Sequence, residues 1–120
     1  MVFQKILHRA VQKVDGAVGA MFVDFQGESV DSSSASLTRY DLGVFGAYQG
    51  IYLDRLRDLC RGNAYGRPIR FKIGCREAIF LNYVLTDEYY LVLILTPAAN
   101  EGLAWRILEE CRNEILEEMA

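Results

Sequence analysis

The sequence predicts an α+β fold: a five-stranded antiparallel sheet with helices on both faces. Three observations carry this. The hydrophobic period changes along the chain from helical spacing to two and back. The predicted strands that follow one another are joined by turns too short for a crossover, so those pairs are antiparallel. The run Tyr89–Leu95, YYLVLIL, is apolar without alternation, which marks a central strand covered on both faces. The predicted order is helix, two strands, long helix, three strands, helix, in one domain spanning residues 1–120.

The first helix places Phe3, Ile6, Leu7, Ala10, Val11 and Val14 on one side and Lys5, His8, Arg9, Gln12 and Lys13 on the other. Asp15-Gly16 stops it. A buried strand follows from Ala17 to Phe25, then a turn at Gln26-Gly27 and a short return strand from Glu28 to Val30. The serine-rich stretch Asp31–Ser36 is too polar for a core element and is expected to be a loop. Thr38 and Asp41 form a capping box with Asp in place of Glu.

A long helix is predicted from Tyr40 to Arg61, ending at Gly62-Asn63. Phe45, Tyr48, Ile51, Tyr52, Leu56 and Leu59 gather on one broad side; Gly43, Gly46 and Gly50 gather opposite, in line with Arg57 and Arg61. Each glycine costs roughly 0.5–1 kcal/mol against alanine inside a helix, so a compensating close approach is expected. After Pro68 the period becomes two: Ile69, Phe71 and Ile73 alternate with Arg70 and Lys72. Gly74-Cys75-Arg76 is a turn, Glu77–Leu85 the next strand and Thr86-Asp87-Glu88 another turn. The last helix runs from about Asn100 to Met119. Leu103, Ala104, Ile107, Leu108, Cys111, Ile115 and Met119 form its apolar stripe, with Trp105 at the edge.

Composition excludes several function classes. Apolar residues are 52% and charged residues 24%, an ordinary globular balance. A net charge of −3 leaves no broad basic field for nucleic acid. No apolar run reaches the ~18–20 residues of a membrane span, and the helical N-terminus is no signal peptide. Three cysteines, an odd number without C-x-x-C spacing, fit free thiols in the cytoplasm and argue against zinc. No metal and no cofactor is expected. Gly62-Asn63-Ala64-Tyr65-Gly66-Arg67 lacks the lysine of a phosphate loop, so the chain is not itself a GTPase. His8 is expected to be a solvated surface imidazole. Cys75, beside Arg76, is the thiol with some prospect of reactivity. The glutamates Glu109, Glu110, Glu114, Glu117 and Glu118 make a solvated helix face.

Three stretches resemble the roadblock / dynein light-chain domain family, including bacterial members that regulate a Ras-like gliding-motility GTPase. Val14–Ala20 is similar to the family's entry into its first strand. Val23–Glu28 resembles its first turn. Tyr90–Leu95, with Pro97–Asn100 and Gly102-Leu103-Ala104, resembles its last strand entering the C-terminal helix. The resemblance implies a profilin-like/roadblock architecture and a homodimer or heterodimer with sheets joined edge to edge through the third strand and long helices side by side. It also implies a non-enzymatic role, as a platform for a small GTPase or as a scaffold subunit.

On this reading Phe45, Tyr48, Tyr52, Ile69, Phe71 and Ile73 form the dimer interface. Gly43, Gly46 and Gly50 form a partner surface rimmed by Asp54, Arg57 and Arg61. Three alternatives stay open at these positions: plain core packing for the aromatic side, a tolerant surface helix for the glycine side, and edge protection for Arg67, Arg70, Lys72 and Arg76. A small-ligand sensor or a thiol enzyme at Cys75 are the competing function classes.

Overall fold

A computed structural model describes residues 2–120. The elements are α1 (Val2–Lys13), β1 (Ala17–Asp24), β2 (Ser29–Ser34), α2 (Arg39–Cys60), β3 (Arg70–Gly74), β4 (Ile79–Val84), β5 (Tyr89–Leu95) and α3 (Glu101–Met119). The strands form one antiparallel sheet in the order β2-β1-β5-β4-β3. The predicted class and element order are those observed.

The alternation of side chains sorts the core into two layers. Ala20 and Phe22 of β1, Leu81 and Tyr83 of β4, and Leu91, Leu93 and Leu95 of β5 face α1 and α3. Met21 and Val23, with Tyr90, Val92 and Ile94, face Leu42 and Leu53 of α2. Strand β5 is buried along nearly its whole length because both layers rest on it, which is why its sequence does not alternate.

Local signals set the boundaries. Gly16 ends the first turn region at φ +88°, and a Cβ there would stand 2.7 Å from Thr96 Oγ1. Gly27 also takes φ +88°, in the β1–β2 turn. The Thr38 hydroxyl accepts from Asp41 N–H at 3.0 Å while the Asp41 carboxylate accepts from Thr38 N–H at 3.3 Å, completing the capping box. At the start of α3, Asn100 Oδ1 accepts from Leu103 N–H at 3.0 Å.

One expectation is corrected. The polar stretch from Asp31 to Ser34 belongs to strand β2, which pairs with β1 through Gly19–Ser34 to Phe22–Asp31. An edge strand needs no fully buried face, and small hydroxyls suit it. Ser34 Oγ donates to Val18 C=O at 2.7 Å and accepts from Leu37 N–H at 3.0 Å, so polar side chains are satisfied at the sheet margin.

The second correction concerns the rotation of α2. The glycine side faces the sheet. Gly46 lies over Met21 and Val23: a Cβ at position 46 would come 2.7 Å from Met21 Cε. Gly50 lies over Tyr90, where a Cβ would stand 2.5 Å from the phenol oxygen. Tyr90, fully buried, donates from its hydroxyl to Gly46 C=O at 2.7 Å. Gly46 and Gly50 are therefore closed to a partner, and their helix cost is offset by the approach of α2 to the sheet.

Gly50→Ala should destabilise the fold by roughly 1–3 kcal/mol through overpacking against Tyr90. Tyr90→Phe alone should cost on the order of 1 kcal/mol for the lost hydrogen bond. Combined, the two changes should cost less than their sum, because the phenol oxygen that meets the new methyl is gone. Urea unfolding of the four chains gives the coupling; strict additivity would refute the contact.

Candidate functional site

With its small residues on the sheet, α2 turns its bulky ones outward. Tyr48 (53% exposed), Ile51 and Tyr52 are open to solvent, as is Leu59 nearer the helix end. Phe45 is half-buried and packs against Phe80 of β4, with ring centroids 5.7 Å apart. That contact brings Phe45 over β4, while most of α2 lies over β1, β2 and β5. On the same sheet face, Phe71 packs against the α2-side core while Ile69 is 63% exposed. Ile73 is half-buried there. Of the six residues expected at a dimer interface, Tyr48, Tyr52 and Ile69 are exposed, while Phe45, Phe71 and Ile73 are half-buried, Phe45 and Phe71 against the α2-side core.

The edge of β3 pairs on one side only, with β4. Its charged side chains turn away from the α2 side of the sheet. Lys72 Nζ reaches Glu101 of α3 at 3.0 Å, and the Arg70 guanidinium lies 4.9 Å from the Trp105 ring centre. Cations held back over α3 guard the edge less than cations extended along it.

The intended partner surface divides. Gly43 is open, with nothing near a Cβ placed there. Gly46 and Gly50 are buried, as described. Asp54, Arg57 and Arg61 do come together, around a concavity of about 590 Å³ at the C-terminal end of α2 that Asp58, Asn63 and Arg67 also line. Arg57 is committed inside the molecule. It donates to Asp87 C=O at 3.3 and 3.4 Å and stacks 3.6 Å above the centre of the Phe25 ring, tying α2 to the β1–β2 and β4–β5 turns. Arg61 pairs with Asp58 at 2.9 Å, and Arg67 with Asp87 at 2.6 Å. The lining is polar and charged in both signs, so it does not supply the apolar walls that a small-ligand sensor needs.

The remaining candidates are placed plainly. His8 is exposed, its Nδ1 3.3 Å from Ser33 Oγ. Cys75 is exposed in the β3–β4 turn and Cys60 is half-buried. Cys111 is buried, and burial together with the nearby Glu114 pushes its thiol up to about 12, with Arg9 opposing. Burial, reinforced by Asp24 and Asp54, likewise raises the Tyr90 phenol. Among the described residues no group of three potential metal ligands comes together.

Sequence reasoning missed two buried polar residues. Gln49 and Asn82 sit between α2 and β4, with Asn82 Nδ2 donating to Gln49 Oε1 at 2.9 Å. Asn82 Oδ1 has no partner. The signal was faint: a lone amide at the centre of an apolar strand and a glutamine on the sheet side of α2.

Solved structures share this fold. The Roadblock/LC7 domain from Streptomyces avermitilis matches with a TM-score of 0.88, covering 97% of this chain and 96% of that one, at 10% identity. Myxococcus xanthus MglB matches at 0.88, over 99% and 95%, with 12% identity. Myxococcus xanthus MglC matches at 0.71, over 98% and 99%, with 22% identity. No protein-family model matches the chain, and no curated protein sequence does so significantly. The chain has the roadblock/LC7 fold, and at these identities the likeness is one of fold.

The thiols should separate by chemistry. Cys75 should label in the folded protein no faster than a free model thiol, and Cys111 only on unfolding. The unfolded chain releases the Cys111 proton near the ordinary value of 9.0, while the folded chain keeps it to about 12. This contribution to stability is therefore complete below pH 9 and is lost as pH rises through that window. The slope approaches about 1.4 kcal/mol per pH unit. Urea unfolding across alkaline pH should show a shallower decline for Cys111→Ala; identical slopes would refute the assignment.

Proposed function

We propose that this chain is a non-catalytic, cytoplasmic, self-associating module that binds a small Ras-like GTPase and regulates its nucleotide state. The observation that carries the reading is the exposure of Tyr48, Ile51 and Tyr52 on α2 and of Ile69 at the start of the edge strand β3, unpaired on its outer side. Large contiguous apolar patches on soluble proteins mark interaction sites, and tyrosine suits them because its hydroxyl stays hydrated at the rim. The shared fold with Roadblock/LC7 and MglB structures supports the same reading.

In the proposed dimer, β3 pairs with its twin across a two-fold axis and continues the sheet. Ile69, Phe71 and Ile73 then meet their copies, and Phe45, Tyr48 and Tyr52 pack between the two α2 helices. Such an interface is isologous and closes on itself. The ties of Lys72 to Glu101 and of Arg70 to Trp105 support this pairing, because they draw like charges back from the edge strands that would meet.

Regulation would be differential binding. The paired α2 helices, with Gly43 and Asp54 beside their sheet-facing side, favour one nucleotide state of the GTPase and so shift its switch segments. Arg61 is free enough to join this surface, whereas Arg57 serves the fold. The chain supplies no phosphate loop of its own, so any faster hydrolysis comes from orienting the partner's residues.

Light scattering over a dilution series should give a mass near twice 13.6 kDa. Ile69→Glu and Tyr52→Glu, both at exposed positions, should each shift it to the monomer mass without loss of folded structure; a wild-type monomer would remove the shared-sheet reading. A nucleotide-turnover assay with a Ras-like GTPase should then change rate with the dimer and not with the monomeric variants. Binding without a rate change would make the chain a scaffold subunit instead.

A further inference from the structure

On the opposite face of the sheet from α2, four side chains form a cluster that the function above does not use. Trp105, the chain's one tryptophan, lies half-buried on α3 beside Tyr83 of β4, edge-on at 6.2 Å between ring centres. The Arg70 guanidinium stands 4.9 Å from the Trp105 ring centre and 5.8 Å from that of Tyr83. Arg112 of α3 stands 5.1 Å from the same Tyr83 ring. It donates from Nε to Val84 C=O at 2.8 Å, which fixes its plane.

Two guanidinium groups are thus held within 6 Å of one ring centre. Among the described residues neither forms an ion pair with a carboxylate, although this is an acidic chain and four other cations do. Stacking on aromatic faces holds guanidinium groups in place while leaving their in-plane N–H donors open. Tryptophan, tyrosine and arginine are also the residue types that dominate interface energetics.

We propose that Arg70, Tyr83, Trp105 and Arg112 form a second docking site, which takes a carboxylate-bearing peptide segment of a partner protein. The carboxylate accepts from the free guanidinium edges of Arg70 and Arg112, and the neighbouring peptide chain lies against Trp105. Charge complementarity selects an acidic ligand, and the surroundings limit its size. Glu101 lies one helical turn before Trp105 and Glu109 one turn after, and Glu110, Glu114, Glu117 and Glu118 continue along α3. The span between Glu101 and Glu109 takes one carboxylate of a flexible peptide, whose other carboxylates turn to solvent, and these glutamates repel a rigid polyanionic duplex or an anionic membrane surface. The site opens on the other face of the sheet from the apolar side of β3, and because Arg70 belongs to the strand that pairs in the proposed dimer, the mass of Arg70→Gln is measured beside its binding.

Trp105 makes the test direct, because its fluorescence reports on the site. Hexaglutamate titrated into the full chain at about 0.15 M salt should give a saturable change that weakens as salt rises; hexaserine should give none. Arg70→Gln, which removes an exposed side chain with no hydrogen bond, should weaken the response at least about tenfold while the unfolding transition stays in place. The Arg70→Gln/Arg112→Gln pair should abolish it, and Arg55→Gln on α2 should leave it unchanged. No saturable change with hexaglutamate would overturn the proposal. So would an undiminished response in Arg70→Gln, or a tighter response to inorganic phosphate or to vesicles containing phosphatidylserine.

Discussion

Tyr90 sets the position of the long helix. Its ring rises from the central strand into the layer under α2, and its hydroxyl needs a partner once buried. Gly46 C=O supplies the acceptor, and the absence of a side chain at Gly50 supplies the room. Met21 makes the same demand one turn earlier, at Gly46. These contacts fix both the height of α2 above the sheet and its rotation about its own axis. Everything on the outer side of α2 follows from that rotation, including the exposure of Tyr48, Ile51 and Tyr52.

The two edges of the sheet are finished differently. Strand β2 is polar, with Ser29 and Ser34 hydroxyls that bond to nearby backbone groups. Strand β3 carries apolar residues on the α2 side and cations on the α3 side, where Glu101 and Trp105 hold them. Its charges are tied back and its apolar side is open, and the proposed pairing rests on this. The same cations, with Arg112, give the α3 side its separate chemistry. One short strand therefore serves two surfaces, one apolar and one cationic, because its side chains alternate.

The interior carries one polar irregularity. Gln49 and Asn82 meet between α2 and β4 in an otherwise apolar layer. Such a pair is costly to bury and direction-dependent, so it reinforces the register of α2 over the sheet that Tyr90 sets. Arg57 adds a third tie, through Asp87 C=O and the Phe25 ring. The helix is thus anchored along its length, at Leu42, Gly46, Gln49, Leu53 and Arg57.

Much of the fold was legible in the residues. Period-two runs in Ile69–Ile73, helical spacing in Phe3–Val14, the Thr38–Asp41 box and Gly16 and Gly27 each act over a few positions, so local chemistry decides them. Phe45, Tyr48 and Tyr52 read as more apolar surface than one sheet face needs, and of these Tyr48 and Tyr52 are exposed while Phe45 packs on Phe80. What stayed hidden depends on partners distant in the chain. The serines of β2 read as a loop because edge pairing to β1 is not a property of the segment. Arg57 read as a rim residue because the turn carbonyl and ring that hold it lie about 30 residues away on either side. The glycine side of α2 read as a partner surface because both sides of the helix could meet a neighbour. Only the tertiary structure, by raising Met21 and Tyr90 beneath it, selected the glycine side for the sheet and left the aromatic side for solvent.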